Sequence, residues 1–161
     1  MQILLAVAMA IAGAVVASSA ATAGTGFGWP IPPPHHVVRA FEAPPHPWSA
    51  GHRGVDLAAP AGTVVVAAGP GIVTFSGVVA GRGVITVRHP DGRRTTYEPV
   101  EHRIPPGSAV IAGTPLGRLS GQGSHCAPLT CLHWGLLVGD DEYRDPLSLL
   151  RSPTIVLLPL A

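Results

Sequence analysis

Residues 84–97 read VITVRHPDGRRTTY, and this stretch decides the fold class. Two runs rich in Val, Ile and Thr flank His89-Pro90-Asp91-Gly92, which has the turn chemistry of a hairpin. β-Branched and aromatic residues favour extended strands, and a short turn joins such strands in antiparallel pairs. The stretch therefore predicts a β-hairpin that pairs Val84–Arg88 with Arg94–Tyr97.

The same pattern of short apolar runs bounded by Gly or Pro recurs along the chain, without a convincing helical period. Besides the hairpin, the predicted strands are Thr63–Ala67, Ile72–Val79, Ala109–Ile111, Leu116–Leu119, Leu132–Val138 and Ile155–Leu158. Many short strands with close turns are typical of an antiparallel β-sandwich or open barrel. The sequence predicts an all-β domain with one short helical turn within Asp145–Leu150.

The first 36 residues predict two segments outside this domain. Ile3–Val16 is apolar and uncharged, and Ala21-Thr22-Ala23 supplies small residues before Gly24, as at a signal-peptide cleavage site. We therefore expect residues 1–23 to be an export signal, with a retained N-terminal anchor as the alternative. Residues 24–36 are rich in Gly and Pro and predict a semi-rigid linker, which leaves residues 37–161 as the domain. The expected location is secreted or in the cell envelope, with no membrane span beyond the N-terminal signal.

The composition excludes several classes of function. Charged residues make up 12% of the chain and the formal net charge is +1, which gives no field suited to nucleic acid. The chain contains Arg but no Lys. A Schiff base or a lysyl-attached cofactor is therefore excluded, and so is a biotinyl or lipoyl carrier, which the Gly-x-Val strands also resemble.

The only two cysteines, Cys126 and Cys131, lie close together in the sequence. Two thiols in an exported chain usually oxidise to a disulfide. We therefore expect a Cys126–Cys131 bond that closes a short loop.

Three residues are candidates for a zinc site. His52 and Asp56 lie four positions apart, and in an extended segment this spacing places both side chains on one face. His133 opens a predicted apolar strand. A neutral imidazole and a carboxylate are suitable ligands for zinc. On their own, these residues fit a loop hydrogen bond or a structural histidine as well as they fit a metal site.

Together, the motifs resemble those of the lysostaphin/LytM-type zinc endopeptidases, which cut peptidoglycan peptides. His52, Gly54 and Asp56 match the family's His-x-Gly-x-Asp motif, and residues 62–73 match its Gly-Thr-x-Val-x-Ala-x-x-x-Gly-x-Val segment. His133 matches the second position of its His-x-His motif. The resemblance implies a lysostaphin-type β core with a groove, one zinc ion bound by His52, Asp56 and His133, and peptidoglycan peptides as the partner.

The chain departs from this family at both histidines that usually assist catalysis. Cys131 takes the first position of His-x-His, and Pro99 takes the last position of Tyr-x-His. Neither a proline nor a disulfide-bonded cysteine can act as a base. A free thiolate at Cys131, two residues before His133, would instead offer a fourth zinc ligand.

His125, beside Cys126, is the first candidate for the missing base. Glu98 is a second candidate, although the one-residue shift from Pro99 predicts that it faces away from the site. His102 is expected in a loop. The remaining histidines are expected to be solvated or in local turns; they are His35, His36, His46 and His89.

Two functions remain open from the sequence. The three metal ligands favour a zinc metallopeptidase acting on peptidoglycan cross-links, with His125 assisting. The missing histidines favour a catalytically degenerate domain that holds zinc and binds peptidoglycan or regulates another cell-wall hydrolase. Since a pure binding protein need not keep three ligands, the sequence favours the peptidase as the family-level description and leaves turnover open.

Overall fold

A computed structural model describes residues 26–46 and 48–151. The predicted signal and the predicted strand Ile155–Leu158 lie outside these residues. The strands are β1 (His36–Arg39), β2 (Gly54–Ala58), β3 (Val64–Val66), β4 (Gly71–Val79), β5 (Arg82–Arg88), β6 (Arg94–Glu98), β7 (Val100–Glu101), β8 (Ala109–Val110), β9 (Pro115–Leu119), β10 (Cys131–Val138) and β11 (Glu142–Arg144). A 3₁₀ helix over Pro146–Leu150 follows, and the Asp145 side chain accepts a hydrogen bond from the Leu147 N–H at its start.

The strands form two antiparallel sheets. The large sheet has the order β1-β2-β10-β6-β5-β4-β8, with β11 also paired to β10. The small sheet has the order β3-β9-β7. The predicted all-β antiparallel fold is confirmed, and the hairpin of residues 84–97 appears as the β5–β6 pair, with Ile85 opposite Tyr97.

Both sheets bury apolar side chains in one shared core. Val65 of β3 and Leu116 of β9 come from the small sheet, whereas Leu57, Ile85 and Trp134 come from the large one. All five are fully buried. Burial of this kind stabilises the fold by about 1.5–3 kcal/mol per large side chain, so β2 and β10 are fixed in position by the core beneath them.

The segment predicted as a linker packs against the domain. Ile31 is 3% exposed and belongs to the core, and Phe27 and Trp29 pack against it. The Gly28 N–H donates to the Ala68 carbonyl at 2.7 Å, which ties the backbone down as well. The segment is therefore not a free spacer, because three of its large apolar side chains pack in or against the core. The domain limits themselves stay predictions.

Among residues 26–46 and 48–151, no helix is long and apolar enough to cross a membrane.

Candidate metal centre

Side chains from distant parts of the chain form one row across the large sheet. Pairing places Asp56 of β2 opposite His133 of β10, and His133 opposite Glu98 of β6. Arg39 of β1 lies opposite Asp56 and extends the row. Directly opposed residues point to the same face of a sheet. Arg39, His133 and Glu98 of this row line a groove of about 420 Å³, and Asp56 lies buried between Arg39 and His133.

His52 lies just before β2 and is held by its backbone and its ring. Its N–H donates to the Glu42 carbonyl at 2.8 Å. Its Nδ1 lies 2.7 Å from the Ala40 carbonyl, which can only accept, so this nitrogen carries the proton. The lone pair of Nε2 is therefore free for a metal, as in metal-binding histidines whose second nitrogen is fixed by a hydrogen bond.

The three residues predicted as metal ligands place one ligand atom each close together. Nε2 of His52 lies 3.1 Å from both Oδ1 of Asp56 and Nδ1 of His133, and the last two atoms are 2.8 Å apart. A tetrahedral zinc ion with bonds of about 2.0–2.1 Å separates its ligand atoms by about 3.3 Å. Two imidazoles and a carboxylate at this spacing fit a divalent metal such as zinc.

Burial and charge keep the Asp56 carboxyl ionised. Burial by itself would raise the pKa of Asp56, which is 1% exposed. Contacts with the His125 and His133 rings outweigh burial and hold the pKa of Asp56 well below its usual range. The side chain is thus a carboxylate, which is the form that can bind a metal, rather than a neutral acid.

The predicted Cys126–Cys131 disulfide is present. Sulfur atoms of both cysteines lie within 4.8 Å of an Asp56 oxygen, but a disulfide has no thiolate to offer a metal. The alternative in which Cys131 is a fourth ligand is therefore wrong. Just before the disulfide loop, Oγ of Ser124 accepts hydrogen bonds from the N–H groups of Cys126 and Cys131, both at 3.1 Å.

This loop brings His125 to the site. Nδ1 of His125 lies 3.6 Å from Oδ1 of Asp56, and its side chain is 25% exposed. The contact with Asp56 raises the pKa of His125, the charge of Glu98 adds to the effect, and burial opposes it. A bound cation would favour the neutral imidazole instead, since like charges repel. Its catalytic role stays a prediction.

Glu98 faces the groove, so the expectation that it points away is wrong. Oε1 of Glu98 lies 3.6 Å from Nε2 of His125, and Oε2 accepts a hydrogen bond from Nε of Arg82 at 3.3 Å. The strand is regular here, with Thr96 and Glu98 on the groove face and Tyr97 in the core. The expectation failed because it placed the Pro99 position on the site face, whereas Pro99 is buried.

The other histidines lie away from the centre. His36, His46 and His102 are exposed, as expected, and His35 stacks on the Trp29 ring at 4.3 Å. His89 is 2% exposed, so it is not solvated, but it belongs to the local turn that was the other expectation: its carbonyl accepts from the Gly92 N–H at 3.0 Å. Its ring is drawn inward by a hydrogen bond from Nδ1 to the Pro70 carbonyl at 2.7 Å.

Arg82 and Ser124 were not identified from the sequence. Both act through a partner that the sequence does not place nearby: Glu98 lies 16 positions from Arg82, and Cys131 lies 7 positions from Ser124. The Gly123-Ser124 pair that precedes the first cysteine was the only local signal for a loop cap.

Solved structures share this fold. Csd3 of Helicobacter pylori superposes with a TM-score of 0.66 at 26% identity, covering 84% of this chain and 38% of Csd3. The catalytic domain of the antimicrobial peptidase lysostaphin from Staphylococcus simulans gives a TM-score of 0.63 at 23% identity, covering 73% of this chain and 93% of that domain. A zinc-containing peptidase from Vibrio cholerae gives 0.61 at 23% identity, with coverages of 70% and 37%.

Sequence relatives and a family profile point the same way. An uncharacterized protein of Mycobacterium tuberculosis is 47% identical over 137 residues, which cover 83% of this chain. The matched part spans 55% of that relative's length. Residues 50–146 match the profile of Peptidase family M23, a stretch that contains every residue of the metal centre. This chain belongs to peptidase family M23.

Proposed function

We propose that this protein is a zinc-dependent peptidase of the cell envelope that acts on the peptide cross-links of peptidoglycan. One observation carries the proposal: the ligand atoms of His52, Asp56 and His133 converge within 3.1 Å at the wall of a groove in an M23 chain. The Cys126–Cys131 disulfide and the signal-like first 23 residues support an oxidising location outside the cytoplasm.

When bound, zinc supplies an activated water and polarises the scissile carbonyl. His52, Asp56 and His133 hold the ion, and the Ala40 carbonyl keeps the His52 ring in the correct tautomer. The hydrolysis adds water to the carbonyl carbon and breaks the C–N bond. One water proton then has to reach the departing amine.

His125 is the residue that would carry this proton. Cys131 is in a disulfide and Pro99 has no ionisable group, so neither can take the role. The His125 ring lies 4.8 Å from the His133 ring, and its far nitrogen faces Glu98. Transfer by a positioned base typically contributes about 10²- to 10⁴-fold to a rate.

A second candidate function rests on the replacement of both usual catalytic histidines. A degenerate M23 domain would hold zinc and bind peptidoglycan, or regulate another cell-wall hydrolase, without cutting peptides. The retained ligand set favours the peptidase, whereas Cys131 and Pro99 favour this alternative.

Zinc content and peptide release separate the two. The purified protein is expected to hold close to one equivalent of zinc, which His52→Ala and His133→Ala remove. Release of peptides from purified peptidoglycan is expected to fall to the blank in those variants. His36→Ala, which changes an exposed histidine of β1, serves as the matched control.

Each outcome has a consequence for the proposal. An absence of zinc in the oxidised wild-type protein would overturn both functions. Zinc binding with peptide release no greater than that of His52→Ala would leave only the degenerate domain.

A further inference from the structure

Four metal-binding side chains, rather than three, meet at the centre. His125 joins His52, Asp56 and His133, and the four ligand atoms all lie within 4.8 Å of one another. Nδ1 of His125 is 3.6 Å from Oδ1 of Asp56, close to the edge of about 3.3 Å expected between ligands of a tetrahedral zinc ion. A base that acts only through a water would need to stand further from the metal than its ligands do.

The second nitrogen of His125 faces a carboxylate, at a separation slightly longer than a hydrogen bond. Histidines that bind metals usually direct their other ring N–H to a carboxylate or a carbonyl, which fixes the tautomer. Nε2 of His125 faces Glu98 at 3.6 Å, and Arg82 holds Glu98 through a 3.3 Å hydrogen bond. His52 is also oriented from its outer side, by a closer contact of 2.7 Å with the Ala40 carbonyl.

The loop that carries His125 is fixed on both sides of it. Ser124 caps the N–H groups of both cysteines, and the disulfide closes the loop immediately after His125. The Thr130 hydroxyl also donates to the Ala59 carbonyl at 2.5 Å, which anchors the far end of the loop beside β2. A restrained loop of this kind holds a ligand in place with little loss of conformational freedom on metal binding.

We propose that His125 is a fourth zinc ligand in the resting protein and closes the coordination position that M23 peptidases leave to water. The inference rests on the zinc centre of the proposed function. A substrate carbonyl or a water would have to displace His125 before hydrolysis, and the displaced imidazole would then stand beside the reacting groups. The resting protein should therefore resist small ligands that bind an open zinc or cobalt site.

The test uses the cobalt(II)-loaded and zinc-loaded protein rather than its activity. X-ray absorption of the zinc protein is expected to show three imidazoles in the wild type and two in His125→Ala. Azide should change the visible spectrum of the cobalt form of His125→Ala but not that of the wild type or of the His36→Ala control. Zinc affinity should fall by roughly 10- to 100-fold in Glu98→Gln, which alters only the outer partner, and by a larger factor in His125→Ala, which removes the ligand itself.

The opposite results would overturn the inference in a recognisable way. Two imidazoles in the wild type, an equal response to azide in both proteins and unchanged zinc affinity in His125→Ala would show an open three-ligand site. That result would leave the proposed peptidase function intact. Failure of the wild type and of His36→Ala to bind metal would remove the proposed function together with this inference.

Discussion

Atoms of neighbouring residues fill the space that a side chain at Gly54 would need. A Cβ atom there would lie 2.4 Å from the Trp134 carbonyl oxygen and 2.7 Å from Nε2 of His133. The glycine therefore lets β2 and β10 approach while the His133 ring lies across the sheet. This explains in physical terms why the middle position of the motif from His52 to Asp56 is Gly.

Gly54→Ala is expected to weaken the metal centre and the fold together. Overpacking of this kind costs about 1–3 kcal/mol, and relief requires the His133 ring to move away from its partners. Urea unfolding and a zinc competition assay measure the two effects. Gly28→Ala is the matched control, since a Cβ at Gly28 meets nothing within 4 Å. Unchanged zinc affinity in Gly54→Ala would show that the His133 ring does not depend on this contact.

A chain of hydrogen bonds in the core fixes the neutral form of His89. The Ala68 N–H donates to the Tyr97 hydroxyl at 3.0 Å, and the Tyr97 and Thr95 hydroxyls are 2.7 Å apart. Thr95 donates to Nε2 of His89 at 2.9 Å, and Nδ1 of His89 donates to the Pro70 carbonyl. Burial lowers the pKa of His89, against the pull of the Pro70 carbonyl. Burial also raises the pKa of Tyr97 to about 12, so its hydroxyl keeps its proton.

The stability of the protein should therefore fall as the pH drops below about 6.5, the ordinary pKa of His89. Below this pH, His89 binds a proton in the unfolded chain but not in the folded protein. The free energy of unfolding therefore decreases as the pH falls towards the lowered pKa of His89 in the folded state. His89→Gln cannot take up this proton, although it costs about 1–3 kcal/mol at neutral pH through lost hydrogen bonds. Urea unfolding above and below pH 6.5 should show that the difference in free energy of unfolding between wild type and His89→Gln becomes smaller in acid. A gap that stays constant or widens would contradict this account.

At the scale of elements, the disulfide loop links folding to the site. In the chain-entropy account, closing a loop with a sequence separation of 5 stabilises the folded state by about 2 kcal/mol. The double variant Cys126→Ser and Cys131→Ser should lose that amount in urea unfolding. Its zinc affinity should fall as well, because the loop no longer holds His125 against Asp56. A reductant should reproduce the loss of stability in the wild type and leave the stability of the double variant unchanged.

Strands with one apolar face were predictable from the sequence, whereas others were not. β4, β5, β6 and β9 match their predicted positions to within two residues, because alternation and flanking Gly or Pro mark them. β10 matches as well, although it is buried on both faces, because its apolar run is long. β2 was not predicted as a strand, since it is buried on both faces and carries Asp56 where alternation expects an apolar residue. β1 and β11 are polar edge segments without an apolar period. The 3₁₀ helix matches the predicted helical turn.

The candidate site was predictable only through motif resemblance. Spacing placed His52 and Asp56 on one side of a strand, but nothing local brings His133 to them, because that contact depends on the β2–β10 pairing. His125 was likewise predicted near the site only because it is next to Cys126 in the sequence; its contact with Asp56 was not predicted. The prediction that Glu98 points away from the site was wrong because Tyr97, whose ring is buried in the core, sets the alternation of β6.

At the scale of the whole molecule, the segment before β1 is expected to contribute to stability. Ile31 is buried, and the Phe27 and His89 rings meet edge to face with 4.8 Å between their centroids. Ile31→Ala should lower the free energy of unfolding by about 2–5 kcal/mol. Val38→Ala, at a position that is 54% exposed in β1, is the control and should change little. A protein that begins at residue 37 should be less stable than one that begins at residue 24; equal urea midpoints would show that the segment is only a spacer.

The row across β2, β10 and β6 has a consequence for when the protein acquires its metal. Asp56 and His133 are 77 positions apart and meet only when β10 inserts between β2 and β6. A chain that is still unfolded holds no more than the His52–Asp56 pair, which is too few ligands to retain zinc. Metal capture therefore has to follow the pairing of β2 with β10. The metal supply that matters is that of the compartment in which the sheet closes, not of the one in which the chain is synthesised.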